Sequence, residues 1–95
     1  MKMNGSSKSD ITWDTDVQKK FEQMIAKIPV FLQDMAQKKV AKKAQELAQK
    51  DGREIVLEKD LVDAFFDQTP FGFHGPMKSD MEELKIDYVK YGHSK

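Results

Sequence analysis

The sequence predicts an all-α fold: a small three-helix domain with a short extended segment between helices two and three and a partly ordered C-terminal tail. The prediction rests on an apolar stripe of 3.6-residue period over residues 17–28 and a long alanine-rich run bounded by Pro29 and Asp51-Gly52. It also rests on the one β-like run, Ile55-Val56-Leu57, being too short for a sheet of its own.

Residues 1–10 are mostly Ser, Asn, Gly and Lys, with almost nothing to bury, and are expected to be a disordered leader. From Val17, apolar residues recur at Phe21, Met24, Ile25 and Ile28, which places them along one face of helix one. Asp14 is its expected N-cap, Asp16 lies in the first turn where the helix dipole favours an acid, and Trp13 is placed to staple onto Val17 or its neighbours. Pro29 should end this helix at Ile28, because proline lacks a donor and disfavours helical geometry in the residue before it. The same proline suits the first turn of the next helix. Helix two then runs from about Val30 to Lys50, with Phe31, Leu32, Met35, Ala36, Val40, Ala44, Leu47 and Ala48 as its expected apolar side and Gly52 as its left-handed terminator.

After the Ile55-Val56-Leu57 rung, helix three is expected from Glu58 to about Phe66, with Glu58, Asp60 and Asp63 early in it and Thr69-Pro70 closing it. Phe71-Gly72-Phe73-His74-Gly75-Pro76 has the glycines and proline of a loop but two aromatics besides. Ser79-Asp80-Met81-Glu82 fits a capping box, predicting a short helix around Asp80 to Leu84. The expected division is a leader over 1–10, a helical domain over 11–66 and an aromatic extension over 67–95.

Composition narrows the function. The chain has 95 residues and no cysteine, so disulfides, thiolate metal sites, iron–sulfur ligation and a cysteine nucleophile are all ruled out. Mean hydropathy is −0.67 and no apolar run approaches the roughly 18 residues of a membrane span, so a soluble protein is expected. The N-terminal stretch has no apolar segment behind Lys2, and the expected compartment is the cytoplasm. Sixteen basic and 16 acidic residues cancel, which argues against unspecific nucleic-acid binding as the main task. Residues 1–51 nevertheless carry a small basic excess and residues 52–95 a matching acidic one, so the halves are expected to attract each other.

Lys38, Lys39, Lys42 and Lys43 form a basic block on helix two, expected to be a solvated face opposite the acids of residues 54–67 and alternatively a site for a phosphate backbone or an acidic ligand. His74 and His93 are too few for a zinc site unless carboxylates join. Each is an available axial ligand for a tetrapyrrole metal, although a loop histidine and a tail histidine in water is the plainer expectation. Phe71, Phe73, Tyr88 and Tyr91 either cover a flat ligand or partner groove or fold back to enlarge the core. The acidic pairs are accounted for by capping and the dipole, so no catalytic residue is expected.

Ile11-Thr12-Trp13, Ile28-Pro29-Val30-Phe31, Ala41, Ala44 and Ala48, Gly52, Ile55 and Ala64 together resemble a known pattern. It is that of the small domain at the C-terminus of the B subunit of light-independent protochlorophyllide reductase, also found as stand-alone proteins. The resemblance spans about residues 11–66. Gln33 stands where that family commonly has an Arg, and Val56 where it commonly has a capping Thr. Membership would imply a non-catalytic accessory or docking module linked to chlorophyll or bacteriochlorophyll biosynthesis, with a reductase subunit or a second copy as partner. No cofactor is expected on the chain alone, and a tetrapyrrole is the ligand the resemblance implies. The contact residues under that reading are Trp13, Pro29 and Phe31 at the helix junction and Phe71, Phe73 and His74 in the loop. The alternative is a histone-like helical module that dimerises and binds nucleic acid through Lys38, Lys39, Lys42 and Lys43.

Overall fold

The computed structural model describes residues 11–95, and the leader expected over residues 1–10 lies outside the described residues. The fold is predominantly α-helical. In chain order it comprises β1 (Thr12–Trp13), α1 (Thr15–Ala26), α2 (Val30–Lys50), β2 (Ile55–Val56), α3 (Glu58–Gln68), a 3-10 turn over Phe71–Phe73, α4 (His74–Glu83) and a second 3-10 turn over Val89–Tyr91.

Asp14 caps α1 as its position suggests, accepting a hydrogen bond from the Val17 backbone N–H at 3.2 Å. Pro29 stands at the cap position of α2 with extended geometry (φ −51°, ψ 138°), and the helix begins at Val30. α2 ends in a full Schellman motif: Gly52 takes φ +77°, its N–H reaches Gln49 O at 2.9 Å, and Arg53 N–H reaches Ala48 O at 2.9 Å. The chain then lays β2 parallel beside β1, Thr12 opposite Ile55 and Trp13 opposite Val56. This two-rung ladder brings the start of α1 beside the start of α3.

α3 lacks a side-chain cap at Leu57, and its own Asp60 reaches back to accept from Leu57 N–H at 2.9 Å. The helix runs to Gln68, two residues past the expected end, because the chain keeps helical geometry until Thr69 turns extended before Pro70.

The segment after it differs from expectation. Phe71–Phe73 is a 3-10 turn rather than an irregular loop, and α4 begins at His74 rather than near Asp80. Gly75 and Pro76 fall in the first turn of α4, where the missing proline donor costs nothing because those N–H groups have no intrahelical partner. Ser79 therefore sits inside the helix, and the Ser79–Glu82 spacing is two residues on one helical face, not a capping box. α4 closes with a second Schellman motif, in which Lys85 rather than a glycine holds φ 62° while Ile86 N–H reaches Met81 O at 2.8 Å.

One core runs through all of this. It joins Val17, Phe21, Met24 and Ile25 of α1, Val40, Ala44 and Ala48 of α2, Val56 of β2, and Leu61, Val62, Ala64 and Phe65 of α3. Met77 and Met81 of α4, with Ile86 and Tyr88 beyond it, belong to the same cluster. The alanines of α2 allow α3 to approach closely, and this is the most extensive helix pairing in the molecule. Ion pairs Lys20–Glu58, Lys27–Glu83 (2.9 Å) and Lys43–Asp67 (3.8 Å) each link the basic half to the acidic half, in keeping with the charge asymmetry. No helix among the described residues is long and apolar enough to cross a membrane.

Candidate functional site

The contact residues expected from the sequence are distributed over three places rather than one surface. The first is the outward face of α2. With Val40, Ala44 and Ala48 buried against α3, helical periodicity turns Phe31, Met35, Lys38, Lys39 and Lys42 to the opposite side. Phe31 is 83% exposed, Val30 84% and Met35 52%, and Leu32 is also exposed. Phe31, Leu32 and Met35 of the expected apolar side are thus a correction, since they are exposed, whereas Ala36 packs against the core as expected. The junction beneath them is anchored, because Gln33 Nε2 donates to Ile28 O at 2.8 Å across Pro29. Pro29 itself is exposed and acts as helix start.

Further along the same face the basic block behaves unevenly. Lys38 pairs with Asp34 at 3.2 Å one turn earlier, and Lys43 pairs with Asp67 of α3. Lys39 and Lys42 are exposed and make no ion pair among the described residues. The block as a whole therefore does not face the acids of residues 54–67; Lys43 alone among the four does.

The second place is a cleft of about 310 Å³ between α1 and α2. Trp13 lies here, stacked on Phe21 with centroids 5.0 Å apart and planes 19° apart. The staple expected onto Val17 or its neighbours includes this ring–ring contact one turn past Val17. Gln33, Gln37, Ala41 and Gln45 form the α2 wall, facing Gln18, Glu22 and Ile25 of α1. Gln33, Gln37 and Gln45 are spaced by multiples of four in the sequence, but polar residues carry no weight in an apolar-periodicity reading.

The third place is an aromatic corner around Phe66. His93 stacks on its ring at 4.0 Å and 3°, His74 meets it edge-on at 5.1 Å, and Tyr88 tilts against it at 5.8 Å. The two histidines are not free in water as expected. His74 Nε2 lies 2.9 Å from Thr69 O, an acceptor only, so that nitrogen carries the proton. His93 Nε2 lies 2.7 Å from Asp63 Oδ1. Of the four tail aromatics, Tyr88 folds into the core and Tyr91 packs against it, whereas Phe71 and Phe73 stay 86% and 65% exposed, Phe71 tilted onto His74 at 5.4 Å.

The polar groups that could do proton chemistry are tied into the scaffold. Asp60 is 1% exposed and takes a bidentate grip from Arg53, at 2.6 and 2.8 Å. Hydrogen bonding to Asp60 holds the Arg53 guanidinium even more firmly protonated than usual, and Arg53 also reaches Ile55 O at 3.0 Å. Sequence reasoning overlooked Arg53; its place just after the helix-terminating glycine and seven residues before Asp60 was the available signal. Glu58 joins Lys20 and Tyr91, raising the Lys20 ammonium pKa mainly through their hydrogen bond. Burial, and then the bond to Glu58, pushes the Tyr91 phenol up to about 12, and the bond donated to Glu82 pushes Tyr88 up to about 12. Among the described residues no three His, Asp or Glu side chains converge into a metal-ligating group.

The family described as Protein of unknown function (DUF2621) matches residues 6–94. No curated protein and no solved structure matches the chain.

Proposed function

We propose that this chain, which belongs to the DUF2621 family, is a non-catalytic docking module that binds a protein partner through the outward face of α2. One observation carries the reading: Phe31 and Met35, one turn apart on the outward face, are exposed on a helix whose later turns are packed, with Val30 and Leu32 also exposed in its first turn, and clustered exposed apolar side chains mark interaction surfaces. Ordinary folding gives no reason for them, since a small core would gain roughly 1.5–3 kcal/mol from each such side chain it buried. The face lies on a continuous 21-residue helix, so its backbone is already ordered before binding.

The resemblance drawn from the sequence would make the partner a subunit of a tetrapyrrole reductase. A directly bound pigment has less in its favour, because the Nε2 atoms of His74 and His93 are both engaged and Trp13, Phe31 and Phe73 lie in three separate places. The nucleic-acid alternative has two of its four lysines committed to Asp34 and Asp67.

The test compares affinity captures from cells that express the chain naturally, using the wild type, the Phe31→Glu, Met35→Glu double variant and a Phe71→Glu control. A protein retained by the wild type and the control but lost with the double variant is the expected result. Equal retention by all three would overturn the reading. Saturable binding of a chlorophyllide, followed by Trp13 fluorescence and unaffected by the double variant, would return the function to pigment handling.

A further inference from the structure

Apolar and basic residues on the outward face of α2 lie in series, not side by side. Phe31 and Met35 occupy the first turns, while Lys39 and Lys42 follow on the same side, the last about 16 Å along the axis from Phe31 at 1.5 Å per residue. Lys38 is neutralised by Asp34, and Glu46, one turn past Lys42, bounds the basic segment. We infer that this face docks an acidic amphipathic helix of a protein partner, its apolar residues against Phe31 and Met35 and its carboxylates against Lys39 and Lys42. The inference rests on the docking reading and adds the chemistry of the partner.

Charge decides among the occupants. A second copy packed parallel along α2 would meet lysines with lysines, and one packed antiparallel over the whole face would set Lys39 and Lys42 against Phe31 and Met35. Four of this chain's own carboxylates are already engaged elsewhere: Glu58 by Lys20, Asp60 by Arg53, Asp67 by Lys43 and Glu83 by Lys27. A lipid surface takes an apolar strip running the length of the helix with cations beside it, which this face lacks past Met35. An acidic helix fits both segments at once, with anchors at i and i+4 in the manner of helix–helix recognition.

The test places photoreactive benzoylphenylalanine at position 31, 35 or 42 of the full chain in cells that express it naturally, and maps the cross-linked peptides. All three positions are expected to label one helical segment of one other protein, with acidic residues clustered where position 42 attaches. Adding Lys39→Glu and Lys42→Glu should lower the yield from position 31 about tenfold, the order expected for reversing two rim charges. If one protein is labelled but its segment is not acidic, or the charge reversal leaves the yield unchanged, the acidic helix is overturned while the docking reading stands. Labelling of lipid, nucleic acid or a second copy overturns the acidic helix as well. Absence of any protein label at all three positions overturns both.

Discussion

The two halves of α2 have similar apolar content and opposite fates. From Val40 onward, small residues at Ala44 and Ala48 let α3 close in, and Val40, Ala44 and Ala48 are buried. Before Val40, larger residues, Phe31, Leu32 and Met35, project from the helix with no covering element. Periodicity alone treats both halves as a core-facing side. Residue size separates them: alanine admits a neighbouring backbone, while phenylalanine and methionine at the uncovered end offer area to a partner instead.

That contrast can be broken from the packed side first. Asp60→Ala should have the largest effect, because Arg53 and the Leu57 N–H lose a buried carboxylate that joins the end of α2 to the start of α3. A loss of about 3 kcal/mol is expected in urea denaturation, the low end for breaking a buried pair, since Arg53 keeps Asp51 and Ile55 O. Ala44→Leu should cost about 1–3 kcal/mol by overpacking the α2–α3 contact, whereas the same substitution at the exposed Lys42 should stay within about 0.5 kcal/mol.

Two helix ends sharpen the picture with opposite signs. Gly52→Ala forces a side chain into φ +77° and should cost about 1 kcal/mol, while Lys85→Gly relieves φ 62° and should gain up to about 1 kcal/mol, both read from thermal midpoints. In alkaline solution the tyrosines set the direction. Tyr88 and Tyr91 ionise near 10 when unfolded but near 12 in the fold, so their contribution is complete below pH 10 and is lost as pH rises towards 12. Tyr88→Phe should make stability fall less steeply across that window.

Much of the fold was legible because its boundaries are set by local chemistry. Asp14 and Gly52 mark helix ends through a cap and a left-handed backbone, Pro29 precedes the start of α2, and α2 spans Val30–Lys50 as expected, whereas α1 ends at Ala26, two residues before the end that Pro29 implies. α4 was mislocated because Gly75 and Pro76 signal a loop in one context and a first helical turn in another, and only the packing of Met77 and Met81 decides between them. The Arg53–Asp60 clamp and the two histidines against Phe66 depend on which elements meet, which no local pattern encodes. The candidate site was half legible. Phe31 was singled out, but its neighbour Met35 was assigned to the core, because periodicity gives a stripe without saying where along it the covering helix ends.

The most direct test is urea denaturation of the Phe31→Glu, Met35→Glu chain beside the wild type. Both glutamates suit the early turns of a helix, so if the first half of α2 serves a partner and not the fold, the unfolding free energy should stay within about 0.5 kcal/mol. A loss of about 2 kcal/mol or more would mean that these side chains stabilise the folded chain, and the division of α2 into a packed half and a presenting half would be wrong.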